Sequence, residues 1–160
     1  MTIEQFARNL KTAIATIDNI VSDTVEDNAT VIAEFNSDSL FSGRDVDGNI
    51  IGIYSKKTQF LSKGQSGLGF PKIAGQPFNF MSTGDLLDSI KVIYRNGDIV
   101  FSFGDLGAEE KIFNIEKFSF PNRQKEKFLG IGGASKKALF KIILNPSITK
   151  KIQNVLNGHS

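Results

Sequence analysis

The sequence predicts an α+β fold: a long N-terminal helix packed on a small antiparallel sheet with a central β-hairpin, extended loops and short C-terminal helices. Three observations lead there. Apolar residues recur at helical spacing from Ile3 to Phe35. An Asn96–Gly97 pair separates two short apolar strands. Between these regular regions runs a long stretch rich in Gly, Ser, Asn and Lys that has no period of its own. A chain of 160 residues suits one domain with a substantial core. Within it the pattern divides into a helix over 1–35, an extended loop region over 36–81, a hairpin plus short helix over 82–120, and a hinge with C-terminal helices over 121–160.

In the first element Ile3, Phe6, Leu10, Ile14, Ile17, Val21, Val25, Ile32 and Phe35 follow three- and four-residue steps, and no Gly or Pro occurs before Gly43. Thr2, followed by Glu4 and Gln5, is a good helix start. At ~1.5 Å per residue such a helix is about 50 Å long. That exceeds the width of a small domain, so part of its apolar stripe is expected to pack on another subunit. From Asn36 the period is lost, and "DVDGN" reads as a plain turn because the Gly falls too early for a calcium loop. Ser82 or Thr83 is placed to cap a turn through Leu86–Leu87. The strands Ile90–Tyr94 and Ile99–Phe103 meet at Asn96–Gly97, the pair favoured where both turn residues need positive φ. Ile99, Phe101 and Phe103 give the second strand one apolar face, expected to lie opposite Ile14, Ile17 and Val21. Ala108, Ile112, Ile115 and Phe118 then mark a short helix that Pro121 ends. Two short helices, "ASKKALFKIILN" and "PSITKKIQNVLN", close the chain, with Pro146 in the first turn of the second.

Composition excludes several chemistries. There is no Cys, and the single His is the penultimate residue, so thiolate nucleophiles, cysteine–histidine metal sites and His-based triads are not expected. The N-terminus is too polar for a signal peptide, and no run reaches the ~18 apolar residues of a membrane span. Net charge is +2, but it is unevenly spread. Residues 1–50 carry three basic against nine acidic side chains, a balance of −6, and residues 123–160 carry eight basic against one acidic, a balance of +7. Mutual neutralisation within one fold, pairing between neighbouring subunits, and a basic surface near nucleic acid all fit that asymmetry.

The run "KFLGIGGASKK" raises the question of a phosphate loop. Gly130, Gly132, Gly133, Ser135 and Lys136 have neither the spacing nor the Gly-Lys pair of a P-loop, and they do not form a dinucleotide fingerprint. They read as a flexible hinge before a helix, with Ser135 near the cap. Asp85 with Asp88, and Glu109 with Glu110, sit at element starts where acids favour the helix dipole. Asp45 and Asp47 lack a third ligand, so a hydrolase built on them is a remote alternative. No catalytic residue, metal site or cofactor is expected. Lys136, Lys137, Lys141, Lys150 and Lys151 are positioned to meet phosphates, though no aromatic residues interleave for base stacking. A small basic nucleic-acid-binding or regulatory module is therefore the alternative reading.

The order of features is more informative than any one of them. Asn36, Leu40, Gly43, Asp45 and Gly48 form an Asn-x-x-x-Leu-x-x-Gly-x-Asp-x-x-Gly segment. Tyr54, Ser55 and Thr58 follow, then Thr83, Gly84, Leu86 or Leu87, Ser89 and Ile90, and at wider spacing Pro121, Arg123, Phe128, Leu129 and Gly130. Taken in order, from Asn36 to Leu139, these resemble the tail-completion, head–tail joining or virion-morphogenesis (neck) proteins of tailed bacteriophages. The resemblance implies a non-catalytic virion protein at the head–tail junction, assembled in the host cytoplasm. It implies a homo-oligomeric ring that contacts portal or connector and tail or neck proteins. Genomic DNA would pass through its lumen without sequence-specific binding, and no membrane is involved. Interface candidates are Tyr54, Phe60, Phe70, Phe78 and Phe80 in the adaptable 36–80 region, and Lys136, Lys137 and Lys141 on the basic helix.

Overall fold

The computed structural model describes residues 1–63, 72–80, 84–104, 107, 110 and 127–158. Helices combine with a two-stranded antiparallel sheet, as an α+β chain requires. The N-terminal apolar ladder, expected as one helix over 1–35, folds as three: α1 (Ile3–Ala15), α2 (Ile17–Asp27) and α3 (Ala29–Phe41). At the start, Thr2 Oγ1 accepts from the Gln5 N–H while Gln5 Oε1 accepts from the Thr2 N–H, a complete capping box. The breaks fall at Thr16 (φ −108°, ψ 7°) and Asn28 (φ −113°, ψ 12°). Thr16 Oγ1 donates to the Thr12 carbonyl at 2.9 Å, and Asn28 Nδ2 donates to the Thr24 carbonyl at 2.8 Å. Side chains that bond back one turn compete with the helical ladder and bend it without Gly or Pro.

The hairpin pairs β1 (Ile90–Arg95) with β2 (Asp98–Phe103), Ile90 opposite Phe103 and Arg95 opposite Asp98. Asn96 (φ 53°) and Gly97 (φ 90°) both take the left-handed conformation that a tight hairpin turn demands. On the sheet's inner face Val92 packs in one buried cluster with Val25, Ile32, Leu139 and Leu144. Ile90 and Phe103 belong to a second, with Leu40, Ile51, Leu87 and Phe128, and Phe101 touches both. Each fully buried aliphatic side chain in such a cluster contributes about 1.5–3 kcal/mol. The residues over the sheet therefore come from α2 and α3. Of the residues expected there, Ile14 on α1 and Ile17 at the start of α2 are exposed and Val21 on α2 is half-buried; α1 lies against the C-terminal helix instead.

The 36–81 region is less of a loop than its composition suggests. Its first residues complete α3, and α4 (Lys56–Lys63) follows. Isolated bridges join Arg44 to Ile50 and Ile53 to Pro77. A short turn, α5 (Asp85–Asp88), begins after Gly84 with both acids at its start and Leu86 and Leu87 buried. The expected cap at Ser82 or Thr83 and the helical face from Ala108 to Phe118 lie outside the described residues.

The two expected C-terminal helices are contiguous. α6 (Gly133–Leu139) passes through a π turn (Phe140–Leu144) into α7 (Asn145–Leu156). Proline cannot donate, and its ring collides with the carbonyl four residues back. The wider turn just upstream, where the Asn145 N–H reaches the Phe140 carbonyl, lets Pro146 sit inside an unbroken run.

Candidate partner interface

The glycine run is not a free hinge. The Val46 N–H donates to the Lys127 carbonyl at 3.0 Å, and Asn36 Nδ2 donates to the Phe128 carbonyl at 2.9 Å. A Cβ on Gly132 would lie 2.9 Å from the Val46 carbonyl oxygen, so the chain passes too close for any side chain. Gly132, not Ser135, stands at the cap position of α6, and no side chain caps it. Gly130 and Gly132 thus serve close packing of residues 127–132 on the 43–48 loop, while Gly133 has open space around it.

Of the residues that carry the phage resemblance, Thr83, Pro121 and Arg123 lie outside the described residues, and several of the others have framework roles. Asn36 is 1 % exposed, and its Oδ1 has no hydrogen-bond partner among the described residues. Leu40 is fully buried. Asp45 is buried, and its Oδ1 accepts from the N–H groups of Asp47 (3.0 Å) and Asn49 (2.8 Å), closing the turn. Asp47 pairs with Lys127 at 2.7 Å. Among the described residues no three His, Asp or Glu side chains gather into a metal site. Ser55 Oγ accepts from the Thr58 N–H at 3.1 Å, an N-terminal cap for α4. Ser89 Oγ donates to the Leu86 carbonyl at 2.8 Å and ties off α5.

Of the aromatic interface candidates, three are used inside the chain. Tyr54, Phe78, Phe80 and the core ring of Phe128 form a column with centroid spacings of 4.6, 6.4 and 6.0 Å. Edge-to-face contacts of this kind add about 0.5–1.5 kcal/mol beyond burial. Tyr54 Oη donates to Asn79 Oδ1 at 2.9 Å and accepts from the Asn79 N–H at 3.2 Å. Burial pushes the Tyr54 phenol above its ordinary value of 10.0, partly offset by that backbone N–H. Burial also pulls the Lys72 ammonium below its ordinary 10.5; its Nζ lies 5.3 Å from the Tyr54 ring centroid and 2.7 Å from Asn79 Oδ1. Phe80 holds φ 50°, a strained value for a bulky residue. Phe60, on α4, is 77 % exposed. Phe70 lies outside the described residues.

Lys136, Lys137 and Lys141 are exposed. Lys151 on α7 pairs with Asp27 of α2 at 2.6 Å. Like Lys127–Asp47, this pair joins the acidic N-terminal and basic C-terminal parts within one fold. Asp27 is thereby engaged inside its own subunit.

Within the described part of the 36–80 region Phe41, Ile50, Ile53, Phe60, Leu61 and Ile73 are exposed, and two further apolar surfaces lie outside it. Along α1 and into α2, Ile3, Phe6, Leu10, Ile14 and Ile17 form a stripe open to solvent, with Ile3 89 % and Ile14 67 % exposed. The helical period betrays that stripe, but only the fold shows it uncovered. The second is a cavity of about 640 Å³ that opens between the hairpin turn, residues 129–131 and α6. Its apolar lining is Ile99, Phe101, Leu129, Ile131, Leu139 and Phe140, and Asp98 and Lys136 also line it. Residues so far apart in sequence give no spacing signal that would have found it.

No helix among the described residues is long and apolar enough to cross a membrane. Comparison with known protein families, with curated proteins and with solved structures gave no match.

Proposed function

We propose that this protein is a non-catalytic structural subunit of a tailed-phage virion, a ring-forming component at the head–tail junction that links portal or connector to tail and lets DNA pass. The observation that carries the assembly part is the uncovered stripe from Ile3 to Ile17. A chain that buries Ile32, Leu40 and Phe128 completely leaves a run of large apolar residues in water, which marks an interaction surface. The placement at a head–tail junction draws on the ordered motifs from Asn36 to Leu139. Among the described ones, Ser55 caps a helix, Asp45 closes a turn, and Leu40 and Phe128 fill the core, roles suited to a building block. Multi-angle light scattering across a concentration series, followed by negative-stain imaging, tests this reading. Closed rings are expected; a monomer at every concentration would remove it.

The second reading, a basic nucleic-acid-binding module, is favoured by the exposed Lys136, Lys137 and Lys141. It requires duplex DNA affinity that falls steeply and linearly in log salt. The same light-scattering series with added duplex separates the two readings.

A further inference from the structure

Resting on the assembly reading above, we propose that the ring contact is head-to-tail: the α1 stripe of one copy lies in the groove between hairpin turn and α6 of the next. The two surfaces cannot meet within one subunit. Asn9 Nδ2 donates to the Leu156 carbonyl at 2.9 Å, which fixes α1 at the last turn of the C-terminal helix. The groove lies at Lys136, Leu139 and Phe140, near the start of that helix. From Phe140 to Leu156 the rise is about 24 Å at ~1.5 Å per residue. An apolar ridge at one end of a rod and an apolar groove at the other define a heterologous contact, which closes into a ring when the rotation allows.

Charge selects a second copy of this chain as the occupant. Glu4 and Lys11 are seven residues apart, so both flank the stripe on the same side of α1. The groove offers Lys136 and Asp98, one charge of each sign. Neither makes an ion pair among the described residues. A helix laid in the groove with Glu4 toward Lys136 leaves Asp98 as the acidic partner on offer to Lys11. Amphipathic helices bind grooves in this way through residues at three- and four-residue steps, the spacing of Ile3, Phe6, Leu10 and Ile14.

Mixing two assembly-blocked variants tests the proposal. Phe6→Arg disables the ridge and Phe140→Glu the groove; both side chains are partly exposed, and thermal melts check that each variant stays folded. Each alone is expected to be monomeric. Their mixture is expected to form a heterodimer of twice the 17.5 kDa chain mass and nothing larger, because only one working contact remains. If Phe140→Glu still dimerises, ridge meets ridge; if Phe6→Arg still dimerises, groove meets groove. Either result overturns the head-to-tail contact and leaves the ring reading standing. A wild-type monomer overturns both. Should Phe140→Glu unfold, the exposed Lys136→Glu replaces it: association weakens about three- to tenfold and returns when Glu4→Lys is added to the same chain. Failure of that rescue also overturns the proposal.

Discussion

Helices α1 and α3 are drawn from the same apolar ladder, yet they meet opposite fates. Ile32 on α3 is 0 % exposed, wedged among Val25, Val92, Leu139 and Leu144. Ile3 on α1 stands in solvent, and only Ala13 of that helix is buried. The bends at Thr16 and Asn28 produce the difference. They let α2 and α3 follow the sheet while α1 swings onto the C-terminal helix. An apolar period says which face of a helix wants cover; it does not say what supplies it.

Four substitutions break or sharpen that contrast. Ile32→Ala should cost about 2–5 kcal/mol in denaturant unfolding, the usual loss for a fully buried large-to-small change. Thr2→Ala removes the α1 cap and should cost about 1 kcal/mol, with faster amide exchange confined to the first turn of α1. Lys151→Ala breaks a partly exposed ion pair and should cost about 0–1 kcal/mol, shrinking further in high salt. Ile3→Ser should change monomer stability by no more than about 0.5 kcal/mol, yet weaken self-association in sedimentation. Equal losses at Ile3 and Ile32 in an assembly-blocked background would mean that α1 is core after all.

What could be read from the sequence was what is decided locally. The hairpin rests on two adjacent residues, Asn96 and Gly97, whose conformational needs are independent of the rest of the fold. The acids of α5 and the Thr2 start are likewise short-range chemistry. The breaks in the N-terminal ladder leave no mark in the sequence, because Thr16 and Asn28 make hydrogen bonds that ordinary helical positions also permit. Tyr54, Phe78 and Phe80 looked like anchors for a partner because their segment has no period. The structure stacks them on one another beside a bridge between Ile53 and Pro77 that no local pattern announces. The glycines at 130–132 looked like slack chain for the same reason: the Val46 carbonyl that excludes a side chain comes from far upstream. The groove escaped entirely, being assembled from three separate stretches.

The bond from Asn36 to the Phe128 carbonyl joins residues 92 positions apart, and that from Asn9 to Leu156 spans 147. Chains emerge from a ribosome at roughly 5–20 residues per second, so roughly 5–18 s separate the synthesis of Asn36 from that of Phe128. During that interval α3 has no ring of Phe128 to pack on, and α1 has no C-terminal helix beneath it. These contacts therefore form only once residues 128 and 156 have been made. A chain cut ahead of Phe128 leaves the N-terminal helices without the long-range contacts that hold them in place.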